Sequence, residues 1–145
     1  MFCCLVGKHP KKRYEIGNAH RDASILDLIH SDVVGPMPTN SINFCRYFLT
    51  FIDDCSRYYW VYFMKQKSKF FETFKVFKAV VENNFTKKIK SIRSDKGGDS
   101  IKGYFHNFCE SKGIRMEHSV PYTPNQNGVA ERKNRSLKEM ETRLL

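Results

Sequence analysis

The chain has 145 residues, 41% of them hydrophobic and 14% aromatic, and a formal net charge of +10. That length holds one domain with a real core, and that composition excludes a disordered tail. No apolar run approaches the roughly 18 residues of a membrane helix, so no membrane partner is expected, and the basic excess, larger in the second half of the chain, suits either a polyanion such as nucleic acid or a solvated basic face that aids solubility.

Residues 1–24 are polar and basic with little periodicity, and are expected to form a linker or arm. The opening "MFCCLVGKHPKKRYE" lacks the order of a signal peptide, because its basic residues follow a very short apolar stretch; an intracellular, non-secreted protein of the nucleus or cytoplasm is expected. The five cysteines are odd in number and irregular in spacing, which argues against a disulfide framework.

"ILDLIHSDVVGP" (25–36) predicts a first strand that stops at Gly35-Pro36. "RYFLTFIDD" (46–54) and "RYYWVYFMK" (57–65) predict two more, joined as a hairpin across the short "DDCS" break, with Trp60 in the core. The period then changes. Phe70, Phe74, Phe77 and Val81 form an apolar stripe on a helix for which Ser68 is the candidate N-cap and "ENN" the stop. "KIKSIRSD" (88–95) predicts a fourth strand, "GYFHNFCESKG" (103–113) a helix ended by Gly113, and "IRMEHSV" (114–120) a fifth strand. "PYTPNQNGVAERKNRSLKEM" (121–140) reads as a loop running into a basic helix. The order β-β-β-α-β-α-β-α predicts an α/β fold, in which an antiparallel meander is extended by parallel strands into one mixed sheet with helices packed on it.

Three carboxylates stand at informative places: Asp32 near the end of the first strand, Asp95 at the end of the fourth, and Glu131 at the start of the last helix. If the first and fourth strands are neighbours, their ends bring Asp32 and Asp95 together, and a helix packed over that edge adds Glu131. Converging carboxylates in a basic groove suit Mg²⁺ or Mn²⁺, hard cations that take oxygen ligands; two such ions serve phosphodiester chemistry. The same residues also fit plain structural duties. Asp32 and Asp95 suit turns, and Glu131 complements a helix dipole. The residues by themselves leave both readings open.

Asp95 and Glu131 have 35 residues between them, and Asp32 and Asp95 have 62. This spacing, with "HSDVVGP", "YFLTFIDDCSRYYWVYFMKQKS", "IKSIRSDKGGDS" and "PYTPNQNGVAERKNRSLKEM", resembles the D,D-35-E integrase core of copia-type LTR retrotransposon Pol polyproteins, from about Leu26 to the last residue. The resemblance implies an RNase H-like fold, a five-stranded mixed sheet with helices on both faces, over residues 25–145. It implies a metal-dependent polynucleotidyl transferase that processes cDNA 3′ ends and joins them to target DNA, and a homo-multimer in the full-length protein. Asp32, Asp95 and Glu131 carry over as catalytic metal ligands, with two Mg²⁺ or Mn²⁺ ions.

Arg135 and Lys138 share a helix face with Glu131 and are the first candidates for DNA contact; Gln126 and Asn127 in the preceding loop and Lys133 are further ones. A catalytically inactive, nucleic-acid-binding remnant is the competing reading.

The family's zinc motif ends in a CxxC before Gly-Lys. In "CLVGK" the second cysteine is Cys4 and the first position is Met1, so residues 1–24 are expected to be a linker and a truncated zinc-domain remnant that binds no zinc. Lys96 stands where the family more often has asparagine, and its effect on phosphate or metal is undecided by sequence. Asp53 and Asp54 are rival ligands for which turn structure is the favoured role, while His30 and His118 are read as packing or surface residues.

Overall fold

A computed structural model describes residues 4–7, 24–38, 43–94, 102–118 and, near the C-terminus, 132, 135, 136 and 139. The strands are β1 (Cys4–Gly7), β2 (Leu28–Val34), β3 (Tyr47–Asp53), β4 (Tyr59–Met64), β5 (Ser91–Ser94) and β6 (Arg115–His118). The helices are α1 (Phe70–Phe85), preceded by a 3-10 turn at Lys67–Lys69, and α2 (Lys102–Ser111).

All five expected strands are present. They form one sheet in the order β1-β4-β3-β2-β5-β6. β2, β3 and β4 are an antiparallel meander, and β5 and β6 add in parallel beside β2, as the element order predicted. One strand was not expected. Cys4–Gly7, inside the segment read as linker, pairs antiparallel with β4 and extends the sheet to six strands. Its four residues are too few for periodicity to register; pairing with β4 supplies the ladder bonds that make so short a segment a strand.

Alternation along the strands gives the sheet two different faces. Leu49, Phe51, Trp60, Tyr62, Ile29 and Ile92 point to the face that α1 covers with Phe74, Phe77 and Val81, all buried. Phe77 stacks on Phe51 with ring centroids 4.0 Å apart and takes Trp60 edge-on at 5.3 Å. α2 adds Phe105 and Cys109 to the same core, with Phe105 edge-on to Phe74 at 5.0 Å. Both described helices therefore lie on one face, whereas helices on both faces were expected; the segment expected to form the last helix falls outside the described residues except for Arg132, Arg135, Ser136 and Glu139.

Helix ends follow local chemistry in one case and depart from it in another. Gly113, at φ +70°, ends α2 as predicted, and the Ile114 N–H donates to the Cys109 carbonyl at 2.8 Å. Ser68 does not cap α1. Its hydroxyl turns to Gln66 Oε1, the 3-10 turn displaces the helix start to Phe70, and the N-cap Lys69 makes no side-chain capping bond. None of the described helices is long and apolar enough to cross a membrane.

Candidate active site

Asp32 is the fifth residue of β2 and is half-buried. It pairs with Thr50 of β3, whose hydroxyl donates to the Asp32 carbonyl at 3.4 Å. Alternation places Asp32 on the face away from α1, with His30 and Val34. β2 and β5 run parallel in register from Leu28–Ser91 to Ser31–Ser94. The described part of β5 thus ends immediately before Asp95, and the matched part of β2 ends immediately before Asp32.

Asp95, Glu131, Gln126, Asn127, Lys133 and Lys138 lie outside the described residues, as does Lys96. Arg132 and Arg135 are helical and exposed, and the Ser136 hydroxyl donates back to the Arg132 carbonyl at 3.1 Å. Among the described residues no group of three His, Cys, Asp or Glu side chains is gathered to hold a metal.

The rival carboxylates have structural duties. Asp53 is fully buried, and its oxygens accept the Leu26 N–H at 2.8 Å, the Ser56 N–H at 2.7 Å and the Ser56 hydroxyl at 2.6 Å. These bonds tie the β3–β4 turn to the start of β2. They also hold the unusual backbone of Leu26, at φ +68°. Asp54 Oδ1 lies 2.8 Å from His30 Nε2 and 3.7 Å from Arg57 Nη1. The turn role expected of this pair is thus realised, and His30 is a buried packing residue with a specific partner.

Two arrangements on the face of Asp32 escaped linear reading. One is the His30–Asp54 pair, joining residues 24 apart in sequence. The other is Arg93 of β5 with Glu117 of β6, register partners whose side chains meet at 2.6 Å, Nη2 to Oε2. Neither has a sequence signal, since each needs the strand order before its members become neighbours. Arg93 is the register partner of His30 on β5, so the two pairs lie side by side on the face that carries Asp32.

Asp32 offers hard oxygen donors of the kind a divalent cation takes. The Asp53 carboxylate accepts three hydrogen bonds that shape its turn, and Asp54 is engaged with His30. The described thiols do not form such a donor set: Cys45 is half-buried in the segment before β3, Cys55 is half-buried in the β3–β4 turn, and Cys109 is buried in the core, where desolvation pushes its pKa up to about 11.

Residues 25–124 match the family described as integrase core domain. The chain is 46% identical over 136 residues, 94% of its length, to the retrovirus-related Pol polyprotein from transposon TNT 1-94 of Nicotiana tabacum. It is 37% identical over 142 residues, 98% of its length, to the corresponding polyprotein from transposon RE2 of Arabidopsis thaliana. It spans about 10% of the length of each of these curated relatives. In solved structures, its fold is similar to a chain of the simian T-cell lymphotropic virus intasome in complex with PP2A regulatory subunit B56 gamma, with TM-score 0.67 and 19% identity over 91% of this chain and 45% of that one. It is also similar to the catalytic core domain of BIV integrase, with TM-score 0.53 and 19% identity over 79% of this chain and 68% of that one. The expected RNase H-like architecture is therefore the observed one.

Proposed function

Because the chain belongs to the integrase core domain family, in its copia-type retrotransposon Pol branch, we propose that it is the catalytic core of a DNA-integrating polynucleotidyl transferase. The observation that carries this reading is the parallel register of β2 and β5, matched through Ser31 and Ser94. It supports Asp32 and Asp95 as a pair of carboxylates on adjacent strand ends. Glu131, which lies outside the described residues, is the third carboxylate of this reading, on the sequence spacing that the resemblance rests on.

Asp32, Asp95 and Glu131 would hold two divalent cations, Mg²⁺ or Mn²⁺. When bound, such ions supply the Lewis acidity that activates a water or a DNA 3′-hydroxyl and steadies the departing oxygen. The chain's own residues bind and align the DNA. By helical spacing from Glu131, Arg135 and Lys138 would share its face and neutralise phosphates beside the scissile bond, with Lys133 as a further cation. Gln126 and Asn127 offer amide donors and acceptors to the DNA end. On the face that carries Asp32, His30–Asp54 ties β2 to the β3–β4 turn and Arg93–Glu117 ties β5 to β6, which supports the strand ends of the proposed site. Residues 1–24 and 25–145 remain the proposed division into an arm and a catalytic domain, even though β1 docks the arm on the sheet.

In this reading the protein acts inside the cell on element cDNA ends and target DNA. It works as part of a multimer, since two ends must be joined. The test is a nicking and strand-transfer assay with Mg²⁺ or Mn²⁺, comparing the chain with Asp32→Asn and Asp95→Asn. Metal-dependent product that both substitutions abolish is the expected result. DNA binding without product, unchanged by either substitution, would instead favour a retained nucleic-acid-binding remnant.

A further inference from the structure

The end of the sheet where β2 and β5 finish also carries an exposed cationic ridge. β4 ends at Met64, whose register partner is Tyr47, the first residue of β3. Arg46 therefore precedes β3, and Lys65 follows β4, at that same end. The Arg46 N–H donates to the Met64 carbonyl at 3.2 Å, which fixes the two segments side by side. Lys67 and Lys69 follow in the 3-10 turn, and Arg46, Lys65, Lys67 and Lys69 are all exposed.

Lys69 Nζ reaches Glu72 at 3.0 Å, whereas among the described residues no acidic side chain pairs with Arg46, Lys65 or Lys67. These cations also stand at the wrong end of a helix. α1 starts at Phe70 with no side-chain capping bond at its N-cap, so the positive end of its dipole faces the same direction as the lysines. Cations there oppose the dipole, and a local rule broken on an exposed surface is characteristic of a site that serves a partner. By contrast, two of the lysines at the opposite end of the sheet are satisfied within the fold: Lys87 bonds the Ser24 hydroxyl at 2.7 Å and Lys90 meets Asp27 at 2.7 Å.

We propose that Arg46, Lys65 and Lys67 form a binding ridge for the phosphate backbone of duplex target DNA, leading to the Asp32 end of β2. The inference rests on the reading of this chain as a DNA-integrating enzyme and adds a surface to it. Strand spacing and rise put Lys65 on the order of 15 Å from Asp32, a run of about five nucleotides along one strand of a duplex. Contacts from these cations to phosphate carry no base-sequence information, so the ridge suits DNA of any sequence, as a target requires.

The test is salt-dependent binding, without metal, to a short fluorescent duplex of random sequence, with closed circular plasmid as competitor. The triple variant Arg46→Gln, Lys65→Gln, Lys67→Gln is compared with Lys87→Gln, Lys88→Gln, Lys90→Gln, which removes the same charge from the opposite, also exposed, end of the sheet. Thermal melting verifies that both variants fold. The ridge variant should lower the slope of log affinity against log salt by about two to three and weaken binding roughly tenfold or more near physiological salt. The matched variant should leave the slope nearly unchanged, Lys65→Arg with Lys67→Arg should bind as the parent does, and the plasmid should displace the duplex.

Equal slope changes in the two Gln variants, no change in the ridge variant, or failure of the end-free plasmid to compete would each overturn the proposal. Because binding is read without metal, these outcomes are independent of the strand-transfer assay. Loss of the proposed activity reading would appear there as product that survives Asp32→Asn.

Discussion

His30 Nε2 lies 2.8 Å from Asp54 Oδ1, a contact buried between β2 and the β3–β4 turn on the face that carries Asp32. Arg57 completes the group at 3.7 Å, and its Nη1 is buried without a hydrogen-bond partner. Asp54→Ala would leave His30 and Arg57 without their shared carboxylate. Unsatisfied buried polar groups cost about 1–3 kcal/mol each, so a loss of about 2 kcal/mol or more is expected in urea unfolding. Asp54→Asn, which retains an acceptor oxygen, should lose less; equal losses would show that the bond to His30 carries no stability.

Asp32→Asn should separate catalysis from folding. The side chain is half-buried and the substitution is nearly isosteric, so stability should move by less than about 1 kcal/mol. Metal-dependent strand transfer should fall below detection. A variant that melts far below the parent would place Asp32 among the structural carboxylates instead.

The stacked pair Phe51 and Phe77 predicts the largest loss from a single truncation. Both are fully buried, and Phe77 touches Phe51, Trp60 and Tyr62. Phe77→Ala should cost about 3–5 kcal/mol by denaturant titration, from lost transfer energy plus the cavity. A double-mutant cycle with Phe51→Leu should return a coupling of about 0.5–1.5 kcal/mol, and zero coupling would contradict the stacking geometry.

Gly35, after β2, has φ +139°, and a Cβ there would sit 2.6 Å from the Arg46 carbonyl oxygen and 2.6 Å from Tyr47 Cδ1. Gly35→Ala combines a disfavoured backbone with a contact to backbone that cannot yield cheaply. A loss of about 1–3 kcal/mol is expected in thermal or denaturant unfolding. Gly103→Ala is the control, because a Cβ at that position in α2 meets nothing within 4 Å, and it should stabilise slightly.

Cys109 offers a pH test. Burial raises its thiol from 9.0 to about 11, so the folded protein favours the neutral form. The group's contribution to stability is fully present below pH 9 and is lost as pH rises through about 11. Alkaline unfolding should be shifted upward in Cys109→Ala relative to its own neutral-pH stability. In the native parent, iodoacetamide at mildly alkaline pH should modify the half-buried Cys45 and Cys55 well before Cys109, as mass spectrometry of the digested protein would reveal.

Much of this protein was legible in its sequence because the signals are local. β-rich runs broken by "DDCS", a stripe from Phe70 to Val81 and Gly113 after a helix each encode their element within a few residues, where side-chain period and backbone preference act. The blocks around Asp32 and Asp95 identified the family for a similar reason: linear spacing is a property of sequence. Tertiary structure decided what depends on neighbours. β1 exists because β4 offers it an edge, Ser68 lost the cap to a 3-10 turn, and Asp53, Asp54 and Arg93 acquired partners between 3 and 27 residues away. A carboxylate's role follows from the donors around it once the strands are ordered. The same residue type therefore closes a turn at Asp53, pairs with an imidazole at Asp54, and at Asp32 stands beside the end of a parallel strand.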